Sequence, residues 1–176
     1  MNKEIIIENL RCIPDFPKKG INFRDVTTLY QNAECLKSMT EDIYNLYKDK
    51  GITKVVGIES RGFVMASAVA PKLNAGVVLA RKPGKLPATV IKESFSKEYG
   101  VDTVEMHLDS INENDIVLIH DDLLATGGTA LATLKLVKHF KPKAVYMNFI
   151  IEITDEGLHG RDVFDGLVDV TALVTL

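Results

Sequence analysis

The feature that most constrains the fold is a set of four short apolar runs, rich in β-branched residues, that alternate with helical patterns. The runs are KVVGI (54–58), GVVLA (76–80), DIVLI (115–119) and KAVYMNFII (143–151). Strands buried on both faces have this composition. Helical patterns lie between them at about 62–73 and 128–140, and such repetition is typical of parallel sheets. The sequence therefore predicts an α/β fold with a central, mainly parallel sheet flanked by helices.

The first fifty residues carry helix signals of their own. We predict a helix over Lys3–Cys12 that ends before Pro14, because proline disfavours helix in the residue before it. The segment 14–25 is then predicted to be a loop. Asn32 is the predicted N-cap of a second helix that ends near Gly51. Apolar side chains at spacings of three and four mark the core face of that helix: Leu36, Met39, Ile43, Leu46 and Tyr47.

Residues 88–108 interrupt the strand–helix alternation. Val104, Met106 and Leu108 alternate with polar residues, and Tyr99-Gly100 is placed to turn the chain. We predict an antiparallel hairpin that projects from the sheet and can move. It follows the loop RKPGKLP (81–87), which carries three cations and two prolines. Insertions of this kind are more often functional than idle.

Two adjacent aspartates, Asp121 and Asp122, follow the third apolar run. Taken alone, such a pair could mark a turn or a helix start. In an open parallel sheet, however, ligands bind beyond the carboxyl ends of the strands, where this pair is predicted to lie. The loop ATGGT (125–129) behind it leads into a helix whose N-terminus favours a phosphate. Carboxylates suit ribose hydroxyls or a hydrated Mg²⁺, so the pattern indicates a phosphorylated sugar.

A second strand-to-helix turn lies in GIESRGF (57–63), where Ser60 and Arg61 could hold an anion at a helix N-terminus. Glu59 could equally be a charge that suits the helix dipole, and Arg61 a solvated surface residue. The cations of RKPGKLP could likewise form a solvated face. A cationic loop near two anion-binding turns nevertheless suits a highly charged leaving group. Together these features indicate a 5-phosphate at one end of a sugar and a pyrophosphate at the other.

Composition argues against several other classes. The formal net charge of −3 gives no basic footprint, so nucleic acid is not an expected partner. Cys12 and Cys35 are too few for a metal-ligand set or a disulfide framework, and we interpret both as reduced thiols. The start MNKEIIIENLRC is neither a signal-peptide core nor a membrane span. We therefore expect a single domain over 1–176, no membrane association and a cytoplasmic location.

The stretch VLIHDDLLATGGTA (117–130) resembles the motif of the type I phosphoribosyltransferases. Four further segments are similar, in order, to the adenine-specific branch of that family: FPKKGINFRD (16–25), ESRGF (59–63), RKPGKLP (81–87) and EYG (98–100). The resemblance covers almost the whole chain. It implies the type I phosphoribosyltransferase fold, with a small N-terminal hood at about 1–30 and the flexible hairpin at about 88–108. It further implies transfer of 5-phosphoribosyl from phosphoribosyl pyrophosphate to adenine, giving AMP and pyrophosphate in purine salvage, with Mg²⁺ and as a homodimer.

The resemblance also implies roles for residues of the sugar site. Asp121 and Asp122 would bind the ribose hydroxyls, near a Mg²⁺ held mainly by the substrate. The 5-phosphate would be bound by Ala125, Thr126, Gly127, Gly128 and Thr129. The pyrophosphate would be bound by Glu59, Ser60, Arg61, Arg81 and Lys85, and the Glu59–Ser60 peptide bond would be cis.

At the base end, the resemblance implies that adenine is contacted by Asn22, Phe23 and Arg24 of the hood. Glu98 and Tyr99 would lie on the hairpin that closes over the site. Glu98 is the candidate to handle the purine proton, so the catalytic candidates are Glu98, Asp121 and Asp122. His120 stands where the family commonly has an apolar residue, and we interpret it as a packed histidine and not as a catalytic base.

Three other functions deserve comparison. A transferase for hypoxanthine, guanine or xanthine would share the sugar site and differ in the hood, because a 6-oxo group needs a donor where a 6-amino group needs an acceptor. A regulator that binds phosphoribosyl pyrophosphate without turnover would need a nucleic-acid-binding module, which no stretch of the sequence supplies. A response-regulator receiver also uses an acidic pair for magnesium, but that pair would follow the first strand.

Overall fold

The computed structural model describes residues 3–97 and 100–176. Its helices and strands, in chain order, are α1 (Lys3–Asn9), β1 (Arg11–Ile13), β2 (Phe23–Asp25), α2 (Thr27–Gln31), α3 (Ala33–Tyr47), β3 (Lys54–Ile58), α4 (Gly62–Val69), β4 (Gly76–Ala80), β5 (Val90–Lys97), β6 (Gly100–His107), β7 (Ile116–Leu124), α5 (Gly128–His139), β8 (Ala144–Glu152) and β9 (Asp169–Thr175). Two 3₁₀ turns, Asp155–Gly157 and Asp162–Phe164, lie between β8 and β9.

Five strands form a parallel sheet in the order β4-β3-β7-β8-β9. The chain enters at β3, adds β4 on one side and then crosses to add β7 on the other. The direction of winding therefore reverses between β3 and β7, and a crevice opens where two connections leave in opposite directions. This arrangement confirms the predicted α/β class, and it fixes where a ligand site is expected.

The inner strands of the sheet are buried on both faces, as their apolar runs predicted, whereas the edge strand β4 is exposed on one face at Val77 and Leu79. Leu118 and Ile119 are neighbours in β7 and point to opposite faces, and both are fully buried. Leu118 packs in a core with α1, α3 and α4, whereas Ile119 packs in a second core with α5 and the base of the β5–β6 hairpin. Within the described ranges, no helix is long and apolar enough to cross a membrane.

The N-terminal segment differs from its prediction. Helix α1 ends at Asn9, and Arg11–Ile13 forms a short antiparallel sheet with Phe23–Asp25. The predicted continuation of the helix to Cys12, and the predicted loop over the whole of 14–25, were therefore wrong. The cause is a long-range pairing: the Arg11 guanidinium donates to the Asp25 carboxylate at 2.9 Å from Nε, directly across the ladder. Local propensity contains no signal for such a contact.

Helix α3 begins as predicted. The Asn32 side chain accepts hydrogen bonds from the backbone N–H groups of Glu34 and Cys35, which confirms it as the N-cap. The predicted core face holds for Met39, Ile43 and Tyr47, which are buried. Leu46 is the exception, because it is 42% exposed.

The predicted hairpin is confirmed as the two-stranded antiparallel sheet of β5 and β6. It is separate from the central sheet and lies along α5, where Glu93 pairs with Lys135 at 3.3 Å. Its base is part of the core, since Val104 and Met106 are buried. The predicted turn at Tyr99 falls outside the described residues.

Candidate active site

Polar residues gather at the carboxyl edge of the sheet, beside the crevice between β3 and β7. Glu59, Ser60 and Arg61 connect β3 to α4, and the ATGGT loop connects β7 to α5. The N-termini of two helices therefore open toward the same region. Unpaired N–H groups and the helix dipole favour anions at both positions.

The acidic pair lies inside β7, near its carboxyl end. The strand continues to Leu124 because its ladder with β8 persists through Asp121↔Phe149 and Leu123↔Ile151, although the apolar run ends at Ile119. The two carboxylates differ in burial and in hydrogen-bond partners. Asp122 is 3% exposed and accepts from Arg61 Nε at 2.5 Å, whereas Asp121 is half-buried and its Oδ1 accepts from the Asp122 N–H at 2.9 Å.

The electrostatics of the pair favour a positive ligand. Burial, and then the negative charge of Asp122, raise the pKa of Asp121 well above its usual range. Arg61 compensates the charge of Asp122. A bound cation or hydroxyl donors would stabilise the charged form of Asp121. An acidic pair in this environment can bind a sugar diol, a metal ion or a positively charged ring.

The predicted phosphate loop forms a small cavity of about 150 Å³, lined by Asp121 and by residues 123–130. Gly127 has φ +79°, a left-handed conformation that glycine adopts without strain. A Cβ on Gly127 would lie 2.7 Å from the carbonyl oxygen of Gly160. The structure thus brings Ala125 to Thr129 together at the N-terminus of α5, and the loop backbone fits tightly against a second segment.

That second segment was missed in the sequence. A Cβ on Gly160 would lie 2.1 Å from the carbonyl oxygen of Ala125, so glycine is required on both sides of the contact. Arg161 fixes the segment by donating to the Glu152 carboxylate at 2.7 Å from Nε and 2.5 Å from Nη2. The only local signal was the Gly-Arg dipeptide itself, which does not indicate a partner.

Arg61, in the turn after β3, contacts both the acidic pair and the hood. The Glu59–Ser60 peptide bond is cis, as the resemblance implied. The Arg61 guanidinium lies over the Phe23 ring at 5.9 Å, so it connects the acidic pair to the hood. Tyr30, which sequence reasoning missed, donates from its hydroxyl to the Arg61 carbonyl at 3.2 Å. Burial, and then the charges of Asp122 and Asp121, raise the pKa of Tyr30 and keep it a donor.

The loop that starts at Arg81 is anchored by Glu59. The Glu59 carboxylate accepts from Arg81 at 3.2 Å (Nε) and 3.3 Å (Nη2), and from the Lys82 N–H at 2.8 Å. Burial alone would raise the pKa of Glu59, but these donors outweigh it and the pKa is lowered. Glu59 therefore holds the Arg81 side chain and the Lys82 backbone in place, and the Lys85 side chain is exposed.

The hood places an aromatic ring beside the crevice. Phe23 is half-buried and meets Phe16 edge to face, with ring centroids 5.2 Å apart. The Arg24 guanidinium faces away from this ring system and donates to Cys12 Sγ and to Asp155 Oδ2, each at 3.0 Å. Asn22 is exposed. Among the three hood residues predicted to contact a base, Phe23 thus offers its ring and Arg24 ties the hood to the segment after β8.

His120 is fully buried, which confirms its interpretation as a packed histidine. Its Nδ1 lies 3.0 Å from Asn148 Oδ1, and the chain of contacts continues from Asn148 to Thr171 and from there to the Tyr47 hydroxyl. Burial lowers the pKa of His120 to about 4, against the opposing effects of the Asn148 bond and of Asp122. The imidazole is therefore neutral near pH 7.

The acidic pair is the predicted donor set for a metal ion. Within residues 3–97 and 100–176, no group of three or more His, Cys, Asp or Glu side chains could hold one. Mg²⁺ commonly binds through one or two carboxylates and completes its octahedron with substrate oxygens and water. Asp121 and Asp122 fit that mode of binding. Glu98 and Tyr99, the predicted hairpin residues, lie outside the described residues.

Comparison with known proteins agrees with this geometry. The family model of the phosphoribosyl transferase domain matches residues 25–157. The adenine phosphoribosyltransferase of Phocaeicola vulgatus is 58% identical over 176 residues, covering 100% of both chains, and that of Bacteroides thetaiotaomicron is 58% identical over 100% of this chain and 99% of its own.

Solved structures give the same result. The adenine phosphoribosyltransferase of Rhodothermus marinus superposes with a TM-score of 0.91 at 45% identity, over 98% of this chain and 97% of that one. The APRTase of Giardia lamblia complexed with 9-deazaadenine superposes with a TM-score of 0.92 at 38% identity, over 100% and 98%.

Proposed function

The chain belongs to the phosphoribosyl transferase family, and on that premise we infer that it transfers 5-phosphoribosyl from phosphoribosyl pyrophosphate to adenine. The products are AMP and pyrophosphate, and the reaction belongs to purine salvage. The observation that carries this function is the placement of the acidic pair between two helix N-termini at the winding reversal of the sheet. One phosphate-binding turn on each side of a diol-binding pair matches a sugar that is phosphorylated at both ends.

For the sugar, we propose that Asp121 and Asp122 face the ribose hydroxyls and that residues 125–129 bind the 5-phosphate through backbone N–H groups and threonine hydroxyls. Mg²⁺ would be held near Asp121 and Asp122, mainly by substrate oxygens. When bound, it would neutralise charge on the leaving pyrophosphate. Departure of that group leaves positive charge on the ribose ring, as in glycoside cleavage. The negative charge of the pair is suitably placed to stabilise that ring.

For the leaving group, we propose binding by Ser60, Arg61, Arg81 and Lys85, with Glu59 holding Arg81. The bond from the anomeric carbon to a pyrophosphate oxygen breaks, and pyrophosphate takes the electron pair. Two contacts support the assignment: Glu59 fixes the Arg81 side chain, and Arg61 is fixed by Asp122. Preorganised cations cost little reorganisation when the charge develops.

For the base, we propose that adenine lies against Phe23 of the hood and is read by backbone groups of residues 22–24. The new bond joins the anomeric carbon to a purine nitrogen, and the purine loses a proton, for which Glu98 is our candidate. Water would capture the same sugar cation, so closure of the hairpin that carries Glu98 and Tyr99 should exclude solvent.

We also propose a cytoplasmic homodimer. Cys12 and Cys35 are free thiols, which suits a reducing compartment. Val77 and Leu79 on the edge strand β4, and Val64 on the neighbouring helix α4, are 41%, 39% and 40% exposed. An apolar edge of this kind is typically covered by a partner, and sedimentation of the purified protein would test the assembly.

The activity is tested by incubating the protein with phosphoribosyl pyrophosphate, Mg²⁺ and each purine base in turn. We expect AMP from adenine and little product from hypoxanthine or guanine, because the hood must accept a hydrogen bond from the 6-amino group. Equal or greater turnover of a 6-oxopurine would refute the adenine specificity and leave the family assignment intact.

A further inference from the structure

Glu105 is a buried carboxylate to which none of the motifs gives a role. It lies in β6, at the base of the hairpin, and is 9% exposed. Burying a glutamate is costly unless its oxygens are bound by donors. Its contacts therefore indicate why it is there.

Besides its place opposite Lys92 in the hairpin, Glu105 makes hydrogen bonds to the cationic loop 81–85. Glu105 Oε2 accepts a hydrogen bond from the Gly84 N–H at 3.0 Å. The backbones of Glu105 and Arg81 also exchange two hydrogen bonds, at 2.9 Å and 2.7 Å. Glu105 thus holds the loop at its start through the main chain and near its tip through the side chain.

Glu59 holds the same loop from the other side, through the Arg81 side chain and the Lys82 N–H. The loop closes on itself where Arg81 Nη1 donates to the Lys85 carbonyl at 3.1 Å. Two of its backbone donors, the N–H groups of Lys82 and Gly84, are therefore occupied by carboxylates. The exposed Lys82 and Lys85 side chains remain to meet an anion.

We propose that Glu105 is a positioning residue for the reaction: its carboxylate sets the shape of loop 81–85 and so fixes the cations that receive the leaving pyrophosphate. This rests on the proposed function of that loop. Because Glu105 belongs to β6, it also couples the position of the loop to that of the hairpin. Its effect should fall on pyrophosphate-bearing ligands and should spare adenine.

Three variants separate the hydrogen bond from the charge. Glu105→Ala removes the acceptor and Glu105→Asp withdraws it by one methylene while keeping the charge. Glu105→Gln keeps an acceptor oxygen at the same reach. Glu93→Ala is the matched control, because it alters the same hairpin at its contact with Lys135 on α5.

We expect Glu105→Ala and Glu105→Asp to raise the KM for phosphoribosyl pyrophosphate, and the Kd for pyrophosphate measured by calorimetry, by about tenfold, the loss of one well-made hydrogen bond. The KM for adenine should change less than about twofold. Glu105→Gln and Glu93→Ala should stay within about threefold of the unchanged protein for every constant.

Equal increases of both KM values in Glu105→Asp, or a Glu105→Gln variant as impaired as Glu105→Asp, would overturn the proposal. If Glu105→Ala does not fold, the Asp and Gln variants still decide between these outcomes. The pyrophosphate titration needs no turnover, so a weakened Kd in Glu105→Asp would support the positioning role even if the unchanged protein made no AMP. Failure of the unchanged protein to make AMP would refute the proposed function, and that outcome is separate from the test of Glu105.

Discussion

The phosphate loop and the hairpin are built in opposite ways. In the loop 125–129, backbone meets backbone: Gly127 and Gly160 approach so closely that neither position has room for a Cβ. The hairpin β5–β6 is a separate two-stranded sheet that packs mainly through side chains, with Phe95 against Gly128 and Glu93 paired with Lys135, and its base is joined to Arg81 by backbone hydrogen bonds of Glu105. Backbone contacts fix a geometry that side-chain contacts allow to vary.

This difference divides the candidate site into a preformed part and a part assembled from other segments. The end of the site that would receive the sugar phosphate is preformed by the central sheet and by the segment that Arg161 anchors. The proposed ends for the base and the leaving group depend on the hood, the cationic loop and the hairpin, which lie outside the central sheet. Binding of the sugar and transfer to the base should therefore be separable by mutation.

The largest effect is expected from the preformed part. Replacing both Asp121 and Asp122 by Asn keeps the shape and removes the charge, so turnover should fall roughly a hundredfold or more, as when a preorganised electrostatic contact is lost. The fold should persist, which circular dichroism would check. Asp109→Asn, at an exposed site, is the control. Near-normal turnover in the double variant would show that the reaction does not need the charges of the pair.

A glycine comparison measures how rigid that part is. Gly127→Ala combines a positive φ with a collision against the Gly160 carbonyl, so we expect about 3 kcal/mol of destabilisation. Gly157→Ala has φ +73° but no atom within 4 Å of the new Cβ, so it should cost only about 1 kcal/mol. Chemical denaturation of both variants would give the difference. Equal costs would mean that the loop can relax.

The smallest expected effect is the pH dependence that His120 of β7 gives to the free energy of unfolding. The pKa of His120 is about 4 in the folded chain, below its ordinary value of 6.5, so the unfolded chain binds the proton more readily. Stability should therefore fall as pH drops from about 6.5 toward 4, by about 2 kcal/mol between pH 7 and pH 5 from this residue.

Replacing His120 and Asn148 together by Val removes this residue's share of the pH dependence without leaving one partner unpaired. His139→Gln, at an exposed site of α5, is the control and should keep the full dependence. Denaturation at several pH values gives the slopes. A double variant with the slope of the unchanged protein would contradict the shifted pKa.

The sequence predicted β3, β4, β7 and β8 because each is an almost uninterrupted apolar run, but it did not predict the fifth strand, β9, most of whose side chains are exposed or only partly buried. The location of the acidic pair and the ATGGT loop at the carboxyl end of a central strand was predicted in the same way, and their roles in binding stay predictions. Contacts between residues that are far apart in the sequence could not be predicted. The β1–β2 ladder depends on Arg11 meeting Asp25, and the loop support depends on Gly160 meeting Ala125.

The contacts of Glu59 and Glu105 could not be predicted either, because each contact joins residues that are far apart in the sequence. Glu59 was grouped with anion-binding residues, but its carboxylate binds Arg81 and Lys82. Glu105 lay in an alternating strand pattern and gave no signal until its contact with Gly84 was known. The neighbouring sequence does not distinguish a carboxylate that positions cations from one that is only solvated.

The most direct test of the division between a preformed and an assembled part is to shorten the hairpin. Replacing residues 94–103 by a short glycine-rich link removes Glu98 and Tyr99 and keeps Val104, Glu105 and Met106 at the buried base. The measurement is the ratio of AMP formed to phosphoribosyl pyrophosphate consumed, together with the KM for phosphoribosyl pyrophosphate. We expect the KM to change little and the ratio to fall, because water replaces adenine as the acceptor of the sugar. A shortened protein with an unchanged ratio and an unchanged kcat would contradict the account, since transfer would then need no hairpin.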